Sequence, residues 1–223
     1  THRHTLFPYT TLFRSAAQQG CPLVGGDTTR GPLAISITVL GQVPAGAALR
    51  RSGAQEGDDI YISASPNACL GQARAGLAQL RGETQLPPAA AAVALARLQE
   101  PTPRLALGLA LRGLAHSAID VSDGLLGDLA HIARASGLGA QVFAPALLSM
   151  AADKPVLPEL PEAQRLAFMG AGGDDYELLF TAPASACQAV VLAAGRVGCE
   201  AYRIGRMVSV PLSGAAAVQL LDE

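Results

Sequence analysis

Apolar residues change their spacing repeatedly along this chain, and each change marks an element. Residues Leu33 to Val43 alternate around the β-branched Ile35, Ile37 and Val39, which predicts a strand. A short strand is predicted over Asp59–Ser63 (DIYIS), after a linker-like turn region from Pro44 to Gly57. Helical spacing takes over in Ala68 to Leu80 and Ala89 to Leu98. Pro101-Thr102-Pro103-Arg104 then opens a helix over about Leu105 to Leu114, since proline is tolerated in a first turn. Ala118 to Val121 reads as a brief buried strand. Ser122 or Asp123 can cap the helix after it, Gly124 to Ser136, with Gly137 as its stop. Downstream come a strand at Ala140–Phe143, a proline-interrupted connection at Pro145–Leu160 with a short helix, and a helix at Glu162–Met169. A strand at Tyr176–Thr181, a helix at Ser185–Val197 and a last strand at Ala201–Met207 complete the series. Alternating helices and strands without an internal repeat predict an α+β fold, a mixed β-sheet packed against helices.

Composition adjusts this picture at three points. First, residues 1–15 are rich in Thr, Arg, His and aromatics, while the chain from Ser15 onward, beginning with a short helical tail, is rich in Ala, Leu and Gly. The opening stretch is therefore read as a foreign or artefactual segment and kept out of the fold. Second, a hydrophobic share of 50% against 15% charged residues allows a sizeable core. The net charge of −2 gives no reason to expect a nucleic-acid or anionic-membrane surface. Apolar runs are short and interrupted, so no transmembrane helix and no signal peptide are expected. Third, Cys21, Cys69, Cys187 and Cys199 are scattered without a CxxC pair, and read as small buried apolar residues in a reducing compartment.

Lys154 is the only lysine, and Pro155 follows it. A Walker A loop needs Gly-Lys-Ser/Thr and a protein-kinase site needs a strand lysine, so neither can exist here. Any handling of nucleotide phosphates must rely on metal ions, arginines and backbone N–H groups.

Three glycine-flanked acidic turns carry that chemistry. In Ile119-Asp120-Val121-Ser122-Asp123-Gly124-Leu125, two carboxylates and a hydroxyl stand between a strand and a helix. A helix N-terminus attracts anions, and hard cations such as Mg²⁺ take oxygen ligands. Asp120 and Asp123 are candidate metal ligands, and Ser122 a candidate phosphate or base contact. Plain helix capping explains one of these residues but not both carboxylates. In Gly25-Gly26-Asp27-Thr28-Thr29-Arg30-Gly31, the glycines allow close backbone approach, Asp27 can bridge a metal to phosphate, and Arg30 adds a guanidinium. A glycine turn leading into a strand is the alternative. Arg50 and Arg51, followed by Ser52, can neutralise phosphate charge or line a solvated loop. In Gly172-Gly173-Asp174-Asp175-Tyr176-Glu177-Leu178, Asp174 can hold substrate and Asp175 can be structural; two solvated turn aspartates are the plainer reading. Asp128 is expected to be structural or to support the metal site indirectly, and His131 to lie on the surface.

Taken together, Gly25–Gly31 (GGDTTRG), Leu49–Ala54 (LRRSGA), Pro103–Arg104, Ala118–Leu125 (AIDVSDGL) and Gly172–Leu178 (GGDDYEL) closely resemble the thiamine-monophosphate kinase family, of the aminoimidazole-ribonucleotide synthetase-like superfamily. The resemblance runs from about residue 16 to the C-terminus. It implies the C-terminal domain of that fold over 47–223, with the last strands of the N-terminal ATP-binding domain over 16–46. It also implies transfer of the ATP γ-phosphoryl group to thiamine monophosphate, with Mg²⁺ as cofactor and ATP as co-substrate. Residue by residue, Gly26, Asp27, Arg51 and Ser122 would contact ATP. Asp27, Asp120 and Asp123 would bind Mg²⁺, and Asp174 would touch the thiamine phosphate. No general base is assigned, because a phosphate nucleophile needs positioning and charge neutralisation rather than deprotonation. The resemblance further implies a cytoplasmic homodimer that engages neither nucleic acid nor membrane.

Three departures stand out. The family's N-terminal domain, with a further acidic metal motif and the main dimer surface, is expected to be missing, which puts in question whether the chain alone is active. The family's C-terminal aromatic contact to the thiamine ring has no counterpart before Glu223, and Ser63–Gly71 reads SASPNACLG where a glycine-rich turn is common. Two alternatives remain open: another ATP-using synthetase of the superfamily, and a non-catalytic nucleotide-binding fragment.

Overall fold

Asp59–Ala64 is buried at all six positions, which explains why it reads as a near-continuous apolar run. This strand, β1, has helices on both sides. Ile60, Ile62 and Ala64 belong to one apolar cluster, and Tyr61 to another. The computed structural model describes residues 14–27, 29–32, 34–210 and 218–222. Within these the chain divides between Val43 and Pro44 into two units.

In the second unit, β1 is followed by helices α1 (Gln72–Leu80), α2 (Pro88–Gln99) and α3 (Leu105–Ala110) and strand β2 (Ser117–Asp120). Next come α4 (Leu125–Ser136), β3 (Gly139–Phe143), α5 (Ala144–Ala151) and α6 (Glu162–Ala171). The series ends with β4 (Leu178–Ala182), α7 (Cys187–Arg196), β5 (Glu200–Val208) and β6 (Val218–Leu221). Among the described residues the sheet runs β2-β4-β1-β5-β3-β6. Its neighbours are antiparallel except β3 and β6, which are parallel, so the sheet is mixed as expected. The larger cluster joins one sheet face to α1, α2, α4, α5 and α6 through residues such as Leu70, Leu129, Ile132, Leu147 and Met169. The smaller one joins Tyr61 and Phe180 to Leu107, Leu111 and Val190 of α3, its C-terminal turn and α7. Tyr61 and Phe180 are β-ladder partners whose rings stack at 5.3 Å. Burying each such side chain contributes roughly 1.5–3 kcal/mol.

The expected α4 ends where predicted, at a left-handed Gly137 with φ 68°. Strand β6 was not anticipated. The last strand was expected at Ala201–Met207, but Val218–Leu221 adds a further edge beside β3. The cysteine reading holds only for Cys69, which is buried; Cys21 and Cys187 are exposed and Cys199 is half-buried, all four as free thiols.

In the first unit, residues 14–18 are helical, and Cys21 N–H donates to the Ala16 carbonyl at 2.8 Å. Most of the segment 1–15, and Leu33, lie outside the described residues. The strand expected over Leu33–Val43 does not form among residues 34–43. Ile35, Ile37 and Val39 are 60%, 62% and 74% exposed. Alternation specifies which face of a strand is apolar, but a strand exists only when a neighbouring ladder pairs its backbone.

Candidate functional site

Backbone pairing brings two of the three acidic turns together. β2 and β4 run antiparallel with Asp120 opposite Leu178 and Ile119 opposite Leu179. The ladder continues beyond both strands. Val121 N–H donates to the Glu177 carbonyl at 2.8 Å, Tyr176 N–H to the Val121 carbonyl at 2.9 Å, and Asp174 N–H to the Ser122 carbonyl at 3.0 Å. At this join, a Cβ on Gly173 would stand under 3.0 Å from the Ser122 carbonyl oxygen, so only glycine fits. The run Asp120–Asp123 and the run Asp174–Glu177 therefore share one end of the sheet.

The helix cap works in the opposite sense from the sequence expectation. Neither Ser122 nor Asp123 caps α4; its N-cap is Gly124, with no side-chain cap bond. Instead Asp128, buried in the first turn of α4, accepts from the Ser122 and Asp123 backbone N–H groups at 3.0 and 3.1 Å. A carboxylate in the first turn also suits the positive end of the helix dipole. This anchor leaves the Ser122 and Asp123 side chains without a capping task. Asp120, Asp123 and Asp174 are exposed, and Ser122 is half-buried.

The arginine loop lies along the free edge of β2. Ala118 N–H donates to the Arg50 carbonyl at 2.8 Å, and Gly53 and Ala54 N–H groups donate to Ser136 Oγ at 3.3 and 3.2 Å. Arg51 is exposed on this loop. Gly26 and Asp27 belong to the first unit and are exposed there, and Thr28 lies outside the described residues. Among the described residues no three His, Cys, Asp or Glu side chains converge into a preformed cage. Exposed Asp120 and Asp123 instead offer one or two carboxylates of hard oxygen. That donor set fits Mg²⁺, which keeps several waters and takes phosphate oxygens as further ligands.

The inward face of the third turn was less legible from sequence. Asp175 is fully buried and accepts from Gly71 N–H at 2.6 Å and Ala73 N–H at 3.0 Å, which satisfies the start of α1. Burial pushes its carboxyl up to about 7, while these N–H groups and Arg97 pull the other way. Glu177, also fully buried, accepts from Arg97 at 2.6 Å and from Arg104 at 2.7 and 2.6 Å, and takes a further bond from the Ser63 hydroxyl. Arg97 also donates to the Asp175 carbonyl. The structural expectation for Asp175 holds, whereas the role of Glu177 was missed. Its only sequence signal was the presence of Arg104 and Glu177 within the recognised motifs. The residues that alternate with these inward ones are strained: Asp174 and Tyr176 have φ of 68° and 51°.

Two further polar pairs support neighbouring segments. His116 Nδ1 lies 2.9 Å from Asp58 Oδ2, and Asp58 also accepts from Gln55 N–H at 2.8 Å. Lys154 is 4% exposed, ion-paired with Glu200, and sits 5.6 Å from the Tyr202 ring centroid. The sole lysine thus has a structural partner.

Comparison with known proteins identifies the family. Residues 55–215 match the family described as AIR synthase related protein, C-terminal domain. Thiamine-monophosphate kinase of Salmonella typhimurium is 44% identical over 198 residues, covering 88% of this chain and 59% of the relative. The Escherichia coli K12 enzyme is 44% identical over 189 residues, covering 84% of this chain and 56% of the relative. The chain therefore spans somewhat more than half the length of these relatives. The crystal structure of thiamine-monophosphate kinase from Stenotrophomonas maltophilia K279a matches with a TM-score of 0.81 at 41% identity, covering 95% of this chain and 65% of that one. A structure described as AaThiL complexed with AMPPCP and TMP matches with a TM-score of 0.57 at 25% identity, covering 77% of this chain and 50% of that one. The match over residues 55–215 makes this chain a member of the AIR synthase related protein family, and the relatives named above that resemble it over most of its length are thiamine-monophosphate kinases.

Proposed function

We propose that the protein containing this chain transfers the γ-phosphoryl group of ATP to the phosphate of thiamine monophosphate, forming thiamine diphosphate. The observation that carries this reading is the 44% identity to thiamine-monophosphate kinase across 88% of the chain. The neighbour complexed with AMPPCP and TMP supports the same pair of ligands. In this assignment Asp120 and Asp123 hold Mg²⁺ at the end of β2, and Ser122 contacts ATP. Arg51 faces the ATP phosphates, and Asp174 contacts the thiamine phosphate. By the family resemblance, Gly26 would contact ATP and Asp27 would be a further Mg²⁺ ligand. Mg²⁺ would neutralise phosphate charge and draw two anions together. The chain's own residues would position the phosphates and hold the nucleophilic oxygen in line, which is most of what phosphoryl transfer asks of a protein. The terminal phosphate of the acceptor is already anionic, so no side chain has to remove a proton. A cytoplasmic homodimer without nucleic-acid or membrane partners belongs to the same reading.

The test is Mg-ATP-dependent formation of thiamine diphosphate by the chain extended to the length of its Salmonella relative. Asp120→Asn and Asp123→Asn should each lower turnover by about 10²-fold or more, on the scale of losing a positioned electrostatic contact, and raise the Mg²⁺ needed for half-maximal rate. Wild-type Mg²⁺ dependence in both variants would remove them as metal ligands. ATP binding without turnover by a folded extended chain would favour the non-catalytic alternative.

A further inference from the structure

Tyr176 is out of place as a packing residue. It is 41% exposed, so much of its ring makes no contribution to the core. It also adopts φ 51°, a conformation that is a genuine outlier for a bulky side chain. Asp174, two residues earlier, is likewise left-handed at φ 68°. Such residues persist only where their surroundings over-determine them. Here those surroundings are explicit. The Asp175 carboxylate is tied to the Gly71 and Ala73 N–H groups. Glu177 is tied to Arg97, Arg104 and Ser63. The Asp174 and Tyr176 N–H groups are tied to the Ser122 and Val121 carbonyls. A buried network holds an exposed aromatic and an exposed carboxylate on one turn, next to the Asp120–Asp123 run. Tyr176 belongs to neither of the two apolar clusters.

We infer that Tyr176 is a substrate-contact residue whose ring lies against the flat, positively charged thiazolium ring of thiamine monophosphate, beside Asp174. This rests on the reading given under Proposed function. A tyrosine face attracts a cation through its quadrupole, and a neighbouring carboxylate adds to the same preference. Because the turn already fixes the backbone beneath the ring, no further backbone ordering is needed when the substrate arrives. ATP, whose purine is neutral, gains much less from this pair of groups.

The experiment compares Tyr176→Asn and Tyr176→Phe in the chain extended to the length of its Salmonella relative. Asparagine tolerates the left-handed region, so the turn survives while the ring is lost. Tyr176→Asn should raise KM for thiamine monophosphate about tenfold, the scale of one cation–π contact, with KM for ATP and the thermal midpoint unchanged or the midpoint raised. Tyr176→Phe should retain the parent KM, because the face of the ring is kept. A lowered midpoint together with parental KM in the Asn variant would make Tyr176 a structural residue and overturn the assignment. So would a rise in KM for ATP alone. If the unmodified protein makes no thiamine diphosphate at all, the proposed function falls and this assignment falls with it. If it does so but both variants keep parental KM values, only the assignment falls.

Discussion

Two turns in this chain open with the same tripeptide, Gly-Gly-Asp, at 25–27 and at 172–174, yet they occupy opposite environments. Around Gly25 and Gly26 an added Cβ would meet nothing within 4 Å among the described residues. Around Gly172 and Gly173 it would stand under 3.0 Å from the Phe168 and Ser122 carbonyl oxygens. The second turn is also followed by two fully buried carboxylates, Asp175 and Glu177, whereas the first is followed by Thr28 and Thr29. The lesson is that a Gly-Gly-Asp string does not define a site. In the second turn the glycines serve close backbone contact, and alternate residues divide the work, with Asp175 and Glu177 anchoring what Asp174 and Tyr176 present.

The contrast can be broken most severely at Glu177. Glu177→Ala leaves Arg97 and Arg104 buried without their carboxylate, and should cost about 3–5 kcal/mol in denaturant unfolding. Gly173→Ala should come next, at about 1–3 kcal/mol, since the backbone must shift away from Ser122. A loss too small to measure there would mean that the two turns are not so different. Asp175→Asn sharpens the comparison through pH. The folded-state carboxyl sits near 7, above its ordinary range, so the folded protein holds a proton that the unfolded chain has released. Stability from this group is therefore greatest below the ordinary carboxylate pKa and is lost as pH rises towards about 7. The Asn variant should show a flatter stability profile than the parent from pH 4 to 7, read by denaturant midpoints at each pH. Identical slopes would place the titration elsewhere. The smallest effect should be at Gly26→Ala, within about 0.5 kcal/mol, because the site is open.

Much of the fold was legible because the pattern and the packing agreed. β1, with Ile60 and Ile62 on one face and Tyr61 on the other, is buried on both sides and reads as a strand from any direction. The helix ending at Gly137 carried both its apolar spacing and its stop. Leu33–Val43 misled for the converse reason: its alternation is real, but residues 34–43 pair with no strand among the described residues. β6 escaped notice because four residues, VQLL, are too short to establish a period, and only pairing with β3 makes them a strand. At the candidate site, sequence identified the acidic runs but not their division of labour. Asp128 reaches back to two N–H groups, a contact that depends on where Gly124 sends the chain. Likewise, Glu177 meets arginines 80 and 73 positions away, which no local pattern reports. The juxtaposition of Asp120–Asp123 with Asp174 depends on the β2–β4 register, a long-range fact.

The buried Lys154 has a practical consequence for anyone who wishes to mark this molecule. Its ammonium is enclosed by Glu200 and Tyr202, and no other lysine occurs in the 223 residues. Acylating reagents and amine cross-linkers will thus find no accessible side-chain target in the second unit. A fluorophore or spin label is better directed to the exposed thiol of Cys187, on the helix that covers the sheet face opposite α1 and α2.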